Sequence, residues 1–571
     1  MTHRLNHFLV HSVLMCLAFV LVRWPAHSQN QSADFIFTNG KIWTGENANS
    51  FAEAVAIRGD KILAIGEPKK IQLLADEHTQ KIDLKGRLVT AGFNDAHIHF
   101  LSGSLLLSEV NLFDAKTVDD IKSIVIAYAK ENPSRQWITG RGWLYEVFGN
   151  QLPNKKILDE VIQDRPVFLK AYDGHTAWVN SKALQLAGVN KHSIFSGFGE
   201  IVKDVNGEPT GALKEDAMQL IEKLIPQPSK EEKLEALKRG LRLAASLGIT
   251  SFQNAKGSAL DVELYQELMN SGSLTARVSS AFTIDENTTE DDIIGFTKIK
   301  DHFKKQQFLT ASVAKITLDG VIESHTAAML SPYTDLPSSS GELSMPLKKY
   351  QDLILRLDRA GFQIYTHAIG DRAVRVTLDA YESASKMNHT INSRHRIEHI
   401  ETVDATDLPR FKKLGVLAAM QPIHADPGTT KIWEKAVGPK RLSYAFAWRS
   451  ILQAEAPLIF GSDWPACISI NPIRGLHVAV NRRTPEGQPA NGWVVNQKNS
   501  IAEAMKAYTQ GGAFASFEEN NKGKIASGYL ADLIVLSEDL FTVDPMKTHE
   551  AKVLMTIVGG KIVFQDEKFI R

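Results

Sequence analysis

The 571-residue sequence predicts an α/β protein: a (β/α)8 TIM-like barrel with an inserted α/β subdomain and a small β-sandwich built from both chain termini. Three observations carry this expectation. Eight apolar β-type runs alternate with amphipathic helical stretches through the middle of the chain. Short β-like meanders stand at both ends. A long segment with elements of its own interrupts the alternation after the first run. Strands alternating with helices give a parallel sheet covered by helices, and eight such units close into a barrel.

The first residues differ from the rest. Arg4 precedes an apolar run over 13–22, then come Arg23, Trp24, Pro25 and the small-residue site Ala26-His27-Ser28. This is the pattern of a secretory signal peptide cleaved after Ser28, and it predicts export to the periplasm or medium. The run is too short to span a bilayer, so no stable membrane insertion is expected after cleavage. His3, His7 and His11 belong to this segment and are discounted as ligands. Cys16 leaves with it, so Cys467 has no intrachain partner and no disulfide framework exists.

Residues 34–65 read DFIFTNGKIWTG and then AVAIRGDKILAIG, with turn dipeptides Asn39-Gly40 and Gly59-Asp60, as in hairpins. The C-terminus repeats the style in GKIASGYLADLIVL and VLMTIVGGKIVFQD. Neither meander covers its own apolar face, so one sandwich shared by both ends is expected. The barrel strands are expected within 88–100, 248–255, 276–284, 312–320, 362–370, 393–401, 415–424 and 457–465. Ser229 to Glu232 is a capping box; Leu234, Leu237 and Leu241 follow on one face, and Gly248 stops the helix. The expected organisation is therefore a signal peptide over 1–28 and sandwich parts over 29–87 and 516–571. The barrel takes 88–515, with the insertion at 114–225.

Composition excludes some functions. Lys+Arg and Asp+Glu are 65 each, which argues against a nucleic-acid binder or a polybasic membrane binder. Hydrophobic residues at 43% and charged residues at 23% are ordinary for a soluble domain protein. Oligomer formation is allowed but not indicated.

The chemistry lies at strand ends. His97 and His99 are two apart on a strand, so both imidazoles reach one face, with Asp95 in the same parity. His367 follows the fifth run, His399 lies in the sixth, Asp463 ends the eighth and Lys315 sits in the fourth. Barrel active sites lie at the C-terminal rim, so these groups converge there. Unpaired buried polar groups are costly, which argues against casual core placement. His395-Arg396-Ile397-Glu398-His399 matches the H-x-x-E-H pattern of some zinc peptidases. That pattern needs a helix, and this segment reads as a strand. No G-x-S-x-G elbow, P-loop or G-x-G-x-x-G occurs.

The stretches GRLVTAGFNDAHIHF, GRGW, RPVFLKAYDGHTAWVNSKAL, AKITLDGVIESHTAAMLSPY, THAIGDRAV, RHRIEH, QPIH and GSDWP together resemble the amidohydrolase superfamily. The resemblance is to its amidohydrolase family 3 branch, which includes N-substituted formamide deformylase, and runs from about residue 34 to the end. Three positions depart from the branch: Ala91 stands where Pro is usual, Leu144-Tyr145-Glu146 replaces an acidic residue after GRGW, and Trp464 occupies a variable position expected to line the pocket.

The resemblance implies a hydrolase acting on non-peptide carbon–nitrogen bonds, with one or two divalent ions, Zn2+ foremost. His97 and His99 would hold the more buried ion, His367 and His399 the second. Lys315, a cation that repels metals as it stands, would be carbamylated and bridge the two. Asp463 would bind the first ion and shuttle a proton. Zinc lowers the pKa of bound water to near ~7, which makes hydroxide available for attack. Manganese, iron or cobalt suit the same ligands. Trp143, His175, Asn180, Asp319 and Trp464 are candidate substrate-binding residues. Trp143, Tyr145, Phe148 and Trp464 suggest an apolar or aromatic substituent on a small amide or formamide. Alternatives are an esterase or lactonase on the same barrel, or a non-catalytic binding protein of this fold.

Overall fold

Each of the eight runs contributes one strand to a single parallel sheet. These are β1 (Phe93–Ile98), β2 (Ile249–Asn254), β3 (Arg277–Ile284), β4 (Leu309–Thr317), β5 (Gln363–Ala368), β6 (Arg396–His399), β7 (Leu417–Met420) and β8 (Leu458–Phe460). The structure, a computed structural model, describes residues 32–149, 152–171, 174, 176–196, 199–567 and 569. The signal segment at 1–28 lies outside them. Neighbouring strands pair in sequence order from β1 to β8. Strands β2, β6, β7 and β8 are buried at every residue, as expected where helices cover the outer face and side chains fill the inside.

The barrel closes just beyond the ladder. The Asp463 N–H donates to the His97 carbonyl at 2.7 Å and the His99 N–H to the Trp464 carbonyl at 2.8 Å. Gly461 permits this approach: a Cβ there would stand 2.4 Å from the His97 amide nitrogen. Helices fill the connections as the alternation predicts. Before β2, Lys230–Ser246 starts on the Ser229–Glu232 capping box, buries Leu237 and Leu241, and gives way to Gly248 at φ +75°.

The run 88–100 is two strands in two sheets. Leu88–Ala91 pairs with Lys41–Trp43 and Leu533–Leu536, in a six-stranded sheet built from both chain ends. β1 then begins in the barrel. The switch occurs at Gly92, where a Cβ would lie 2.1 Å from the Thr250 side chain. Gly59-Asp60 turns a hairpin between Ala54–Arg58 and Lys61–Gly66. Asn39-Gly40 does not: Phe35–Thr38 pairs in the four-stranded sheet and Lys41–Trp43 in the six-stranded one. The turn carries the chain between the two layers. Phe37, Val55 and Ile57 meet Val89, Leu533 and Met555 in one apolar layer between the sheets.

After β1 the chain builds a further six-stranded sheet, from Val110–Asn111 through Pro209–Glu215. Apolar clusters flank it, one around Trp143, Leu169 and Trp178, the other around Phe168, Val179 and Leu213. No helix among the described residues is long and apolar enough to cross a membrane. Cys467 is a free cysteine.

Candidate metal centre

The strand ends bring His97, His99, Lys315, His367, His399 and Asp463 to one rim, and add His424. Asp463 stands in the middle. Its Oδ1 lies 3.2 Å from His97 Nε2 and 2.9 Å from His99 Nε2. Its Oδ2 lies 3.4 Å from His424 Nε2 and 3.9 Å from His399 Nδ1. The His367 and His399 rings are 4.4 Å apart, the His97 and His399 rings 4.8 Å. Two groups are compact enough to hold an ion: His97, His99 and Asp463, and His399, His424 and Asp463.

The donor chemistry fits divalent cations. His97 Nε2, His424 Nε2, Asp463 Oδ1 and Lys315 Nζ are buried and have no hydrogen-bond partner among the described residues. Buried polar atoms are normally satisfied, so a cluster of bare ligand atoms pointing at one another calls for a cation. Electrostatics favour the ligand forms of His99, His367, His399 and Asp463, while at His424 burial is outweighed by Glu401 and Asp463, which raise it. Burial holds His99 and His399 below their usual values, and burial together with Lys315 takes His367 down to about 3. Burial opposes the charge on Asp463, but His97 and His99 outweigh it and keep the carboxyl far below its usual range. Neutral imidazoles around an ionised carboxylate are what metal binding requires. Burial also brings the Lys315 amine down to about 8.

Two of these residues reach the rim through unusual backbone. His399 has φ +76° and Asp463 φ +61°, both left-handed. Alternation along β6 points Arg396 and Glu398 into the barrel, so His399 would face outward on a regular strand. The left-handed turn at the strand end brings its ring to the other imidazoles. Such non-glycine conformations cost ~1–3 kcal/mol each and cluster at functional sites. Arg396–His399 is a strand and no helix runs through the segment, so the helical peptidase arrangement is absent; His395 lies just before the strand, 3.0 Å from Asp358 through Nε2.

Four further residues surround the centre, none of them among the expected ligands. His424, in QPIH, sits on a short turn, Pro422–Ala425, after β7, with Nδ1 3.5 Å from Glu401 Oε1. Glu401 also accepts from Trp433 Nε1 at 2.8 Å. Glu398 accepts from His97 Nδ1. Burial works against its charge, but Arg396 and His97 prevail and hold its carboxyl at about 2. Asp95, in the parity of His97, uses Oδ1 on the amides of Ser462 at 2.9 Å and His97 at 3.2 Å; it ties the strand ends together.

The residues expected to touch substrate are placed otherwise. Trp143 is fully buried in the core of the inserted subdomain, with Nε1 on the Leu169 carbonyl at 2.9 Å. Asn180 is fully buried too: Oδ1 accepts from Val167 and Ala183 amides, and Nδ2 donates to Ile162 and Arg165 carbonyls. Asp319 spends its oxygens on the amides of Ala328, Ile369 and Gly370, which fixes the loop after β4 against the end of β5. Trp143 and Asn180 have their polar atoms used inside the inserted subdomain, whereas Asp319 Oδ1 also stands 3.6 Å from His367 Nε2, at the edge of the centre. Trp464 borders His99 through its carbonyl, while its ring packs on Gly103. His175 lies outside the described residues.

A closed parallel barrel with imidazoles and a carboxylate at its C-terminal rim defines a metal-dependent hydrolase. The comparisons agree. The amidohydrolase family pattern matches residues 80–564, and the chain belongs to that family. It is 30% identical to the protein LONG AFTER FAR-RED 3 of Arabidopsis thaliana, over 93% of this chain and 92% of that one. It is 25% identical to the N-substituted formamide deformylase of Arthrobacter pascens, over 94% and 99%. An uncharacterized metal-dependent hydrolase from Pyrococcus furiosus superposes with a TM-score of 0.71 at 26% identity, covering 89% of this chain and all of that one.

Proposed function

We propose that this enzyme hydrolyses a carbon–nitrogen bond in a small, non-peptide linear amide or N-substituted formamide. The observation that carries the reading is the set of bare buried ligand atoms around Asp463 at the barrel rim. The deformylase among its relatives supports the choice of bond.

His97, His99 and Asp463 would hold one ion, and His399 and His367, with His424, a second. Imidazole and carboxylate suit zinc. Lys315, whose buried amine has no hydrogen-bond partner among the described residues, would be carbamylated and would then supply an anionic oxygen to the ions. Such a pair of ions supplies hydroxide at neutral pH and polarises the scissile carbonyl. Asp463 is the carboxylate at the centre of the group. In this reading it would take a proton from the attacking water and return it to the departing nitrogen. Residues 1–28 act as an export signal in this reading, which N-terminal sequencing of the mature protein checks.

The decisive experiment is a screen of N-formyl and N-acyl amines, esters and lactones with zinc-reconstituted protein, beside metal analysis. Amide turnover with one to two equivalents of ion supports the proposal. Ester or lactone turnover alone, or a folded protein that takes up no ion, overturns it.

A further inference from the structure

A buried ion pair stands directly behind one of the two ligand groups. Arg396 and Glu398 are fully buried on the barrel axis. Arg396 Nε donates to Glu398 Oε1 at 2.7 Å and Nη2 to Oε2 at 3.0 Å. The guanidinium is spent further on the Ala96 carbonyl at 2.7 Å and on Gln253 Oε1, and lies 3.6 Å over the Tyr365 ring. Glu398 Oε2 accepts from His97 Nδ1. An isolated buried pair contributes little net stability, because desolvation offsets its attraction. This pair has a second consequence. A carboxylate only accepts, so it fixes the proton of His97 on Nδ1 and turns the Nε2 lone pair toward Asp463, 3.2 Å away.

The other group lacks this backing. His399 Nδ1 meets the neutral amide oxygen of Gln421 at 2.9 Å. His424 Nδ1 stands 3.5 Å from Glu401 and His367 Nε2 3.6 Å from Asp319, both beyond a firm hydrogen bond. In the first group His99 Nδ1 has no partner among the described residues, so the backing there comes through His97. A carboxylate behind a ligating imidazole raises its donor strength and holds its ring.

We infer that Glu398, held by Arg396, is a positioning residue that makes the ion position at His97, His99 and Asp463 the tighter of the two. The two positions therefore fill in order, the His97 position first. This rests on the reading of the rim as a two-ion centre.

The test uses full-length protein stripped by a chelator and titrated with Co2+, followed by its visible absorption. Wild type should show a tight and a loose phase. Glu398→Gln should weaken the tight phase by ~10–100-fold and leave the loose phase within about 2-fold. Arg396→Gln/Glu398→Gln removes both charges without stranding one in the core, as Glu398→Gln alone does, and should show the same selective loss. Gln421→Ala should move only the loose phase. An unchanged tight phase in both Glu398 variants overturns the inference. So does equal weakening of both phases with a lower melting temperature of the metal-free protein, which marks a merely structural pair. A wild type that binds no Co2+ overturns the proposed function itself, so the two failures are distinguishable.

Discussion

Gly461→Ala tests whether barrel closure and the metal centre are one construction. Gly461 sits between β8 and Asp463, against β1. Its added Cβ would meet the His97 amide nitrogen at 2.4 Å and Asp95 Oδ1 at 3.0 Å. Backbone cannot swing aside, so relief to an ordinary contact requires the strands to part by about 1 Å. The 2.7 Å bond from Asp463 N–H to the His97 carbonyl then exceeds hydrogen-bond range. Overpacking of this kind costs ~1–3 kcal/mol, and each broken bond adds about 1 kcal/mol. The same displacement separates Asp463 from His97 and His99, and a misplacement near 1 Å lowers turnover by ~10²-fold. The assay is metal content by mass spectrometry, urea unfolding and amide turnover, with Gly295→Ala as control. Gly295 lies in the helix Glu290–Phe303 and an added Cβ there meets nothing within 4 Å. The control should be stabilised by ~0.5–1 kcal/mol at full activity. Gly461→Ala with wild-type metal content and turnover would refute the coupling.

Asp463→Asn should lower kcat by ~10²–10⁴-fold while most of the metal is retained; unaltered turnover removes the proton-shuttle role. Asn180→Ala, which deletes four buried hydrogen bonds, should cost about 2–3 kcal/mol in urea unfolding and leave KM within about 2-fold. A tenfold rise in KM at unchanged stability would restore Asn180 as a substrate contact. Asp358 lies far from the centre, where burial opposes its charge but His395, Asn388 and Thr390 outweigh it and lower the carboxyl to about 2. A depressed carboxylate stabilises above its unfolded value of 3.8 and loses that contribution as pH falls toward about 2. The stability gap between wild type and Asp358→Asn should thus be about 2 kcal/mol at pH 7 and shrink between pH 4 and 2, as read from urea midpoints.

The sequence shows some parts of this protein clearly and others not, and the division follows physical periodicity. Strands such as β7 and β8 are legible because a strand buried on both faces is a continuous apolar run, whereas β6, reading RIEH, is legible by its alternation. The sheet switch at Gly92 is not, since Leu88–Ala91 and β1 are apolar on both sides of it and only the close approach of Thr250 separates them. The same limit explains the substrate-contact residues. A Trp or Asn in a recognisable motif announces that its position is constrained, but not whether by a core or by a ligand. Trp143 and Asn180 are constrained by the inserted subdomain's own packing.

The ligand set shows the limit most sharply. His97 lies within a regular strand and is read from period 2. His399 and Asp463 act at the rim because the chain leaves β geometry at those residues, with φ +76° and +61°. Strict alternation would put Glu398 at the centre and His399 outside. Both are used: Glu398 enters from the strand as the partner of His97, and His399 enters from the left-handed turn beyond it. Adjacent residues thereby serve opposite sides of the same imidazole group, one behind it and one within it. A regular strand cannot do this, because neighbouring side chains would face opposite ways. The strained end of β6 thus lets one short strand supply both a ligand and the support for another ligand across the barrel. Relaxing His399 to β geometry would return its ring to the outer face and take an imidazole from the group of His399, His424 and Asp463, while Glu398 still backed His97.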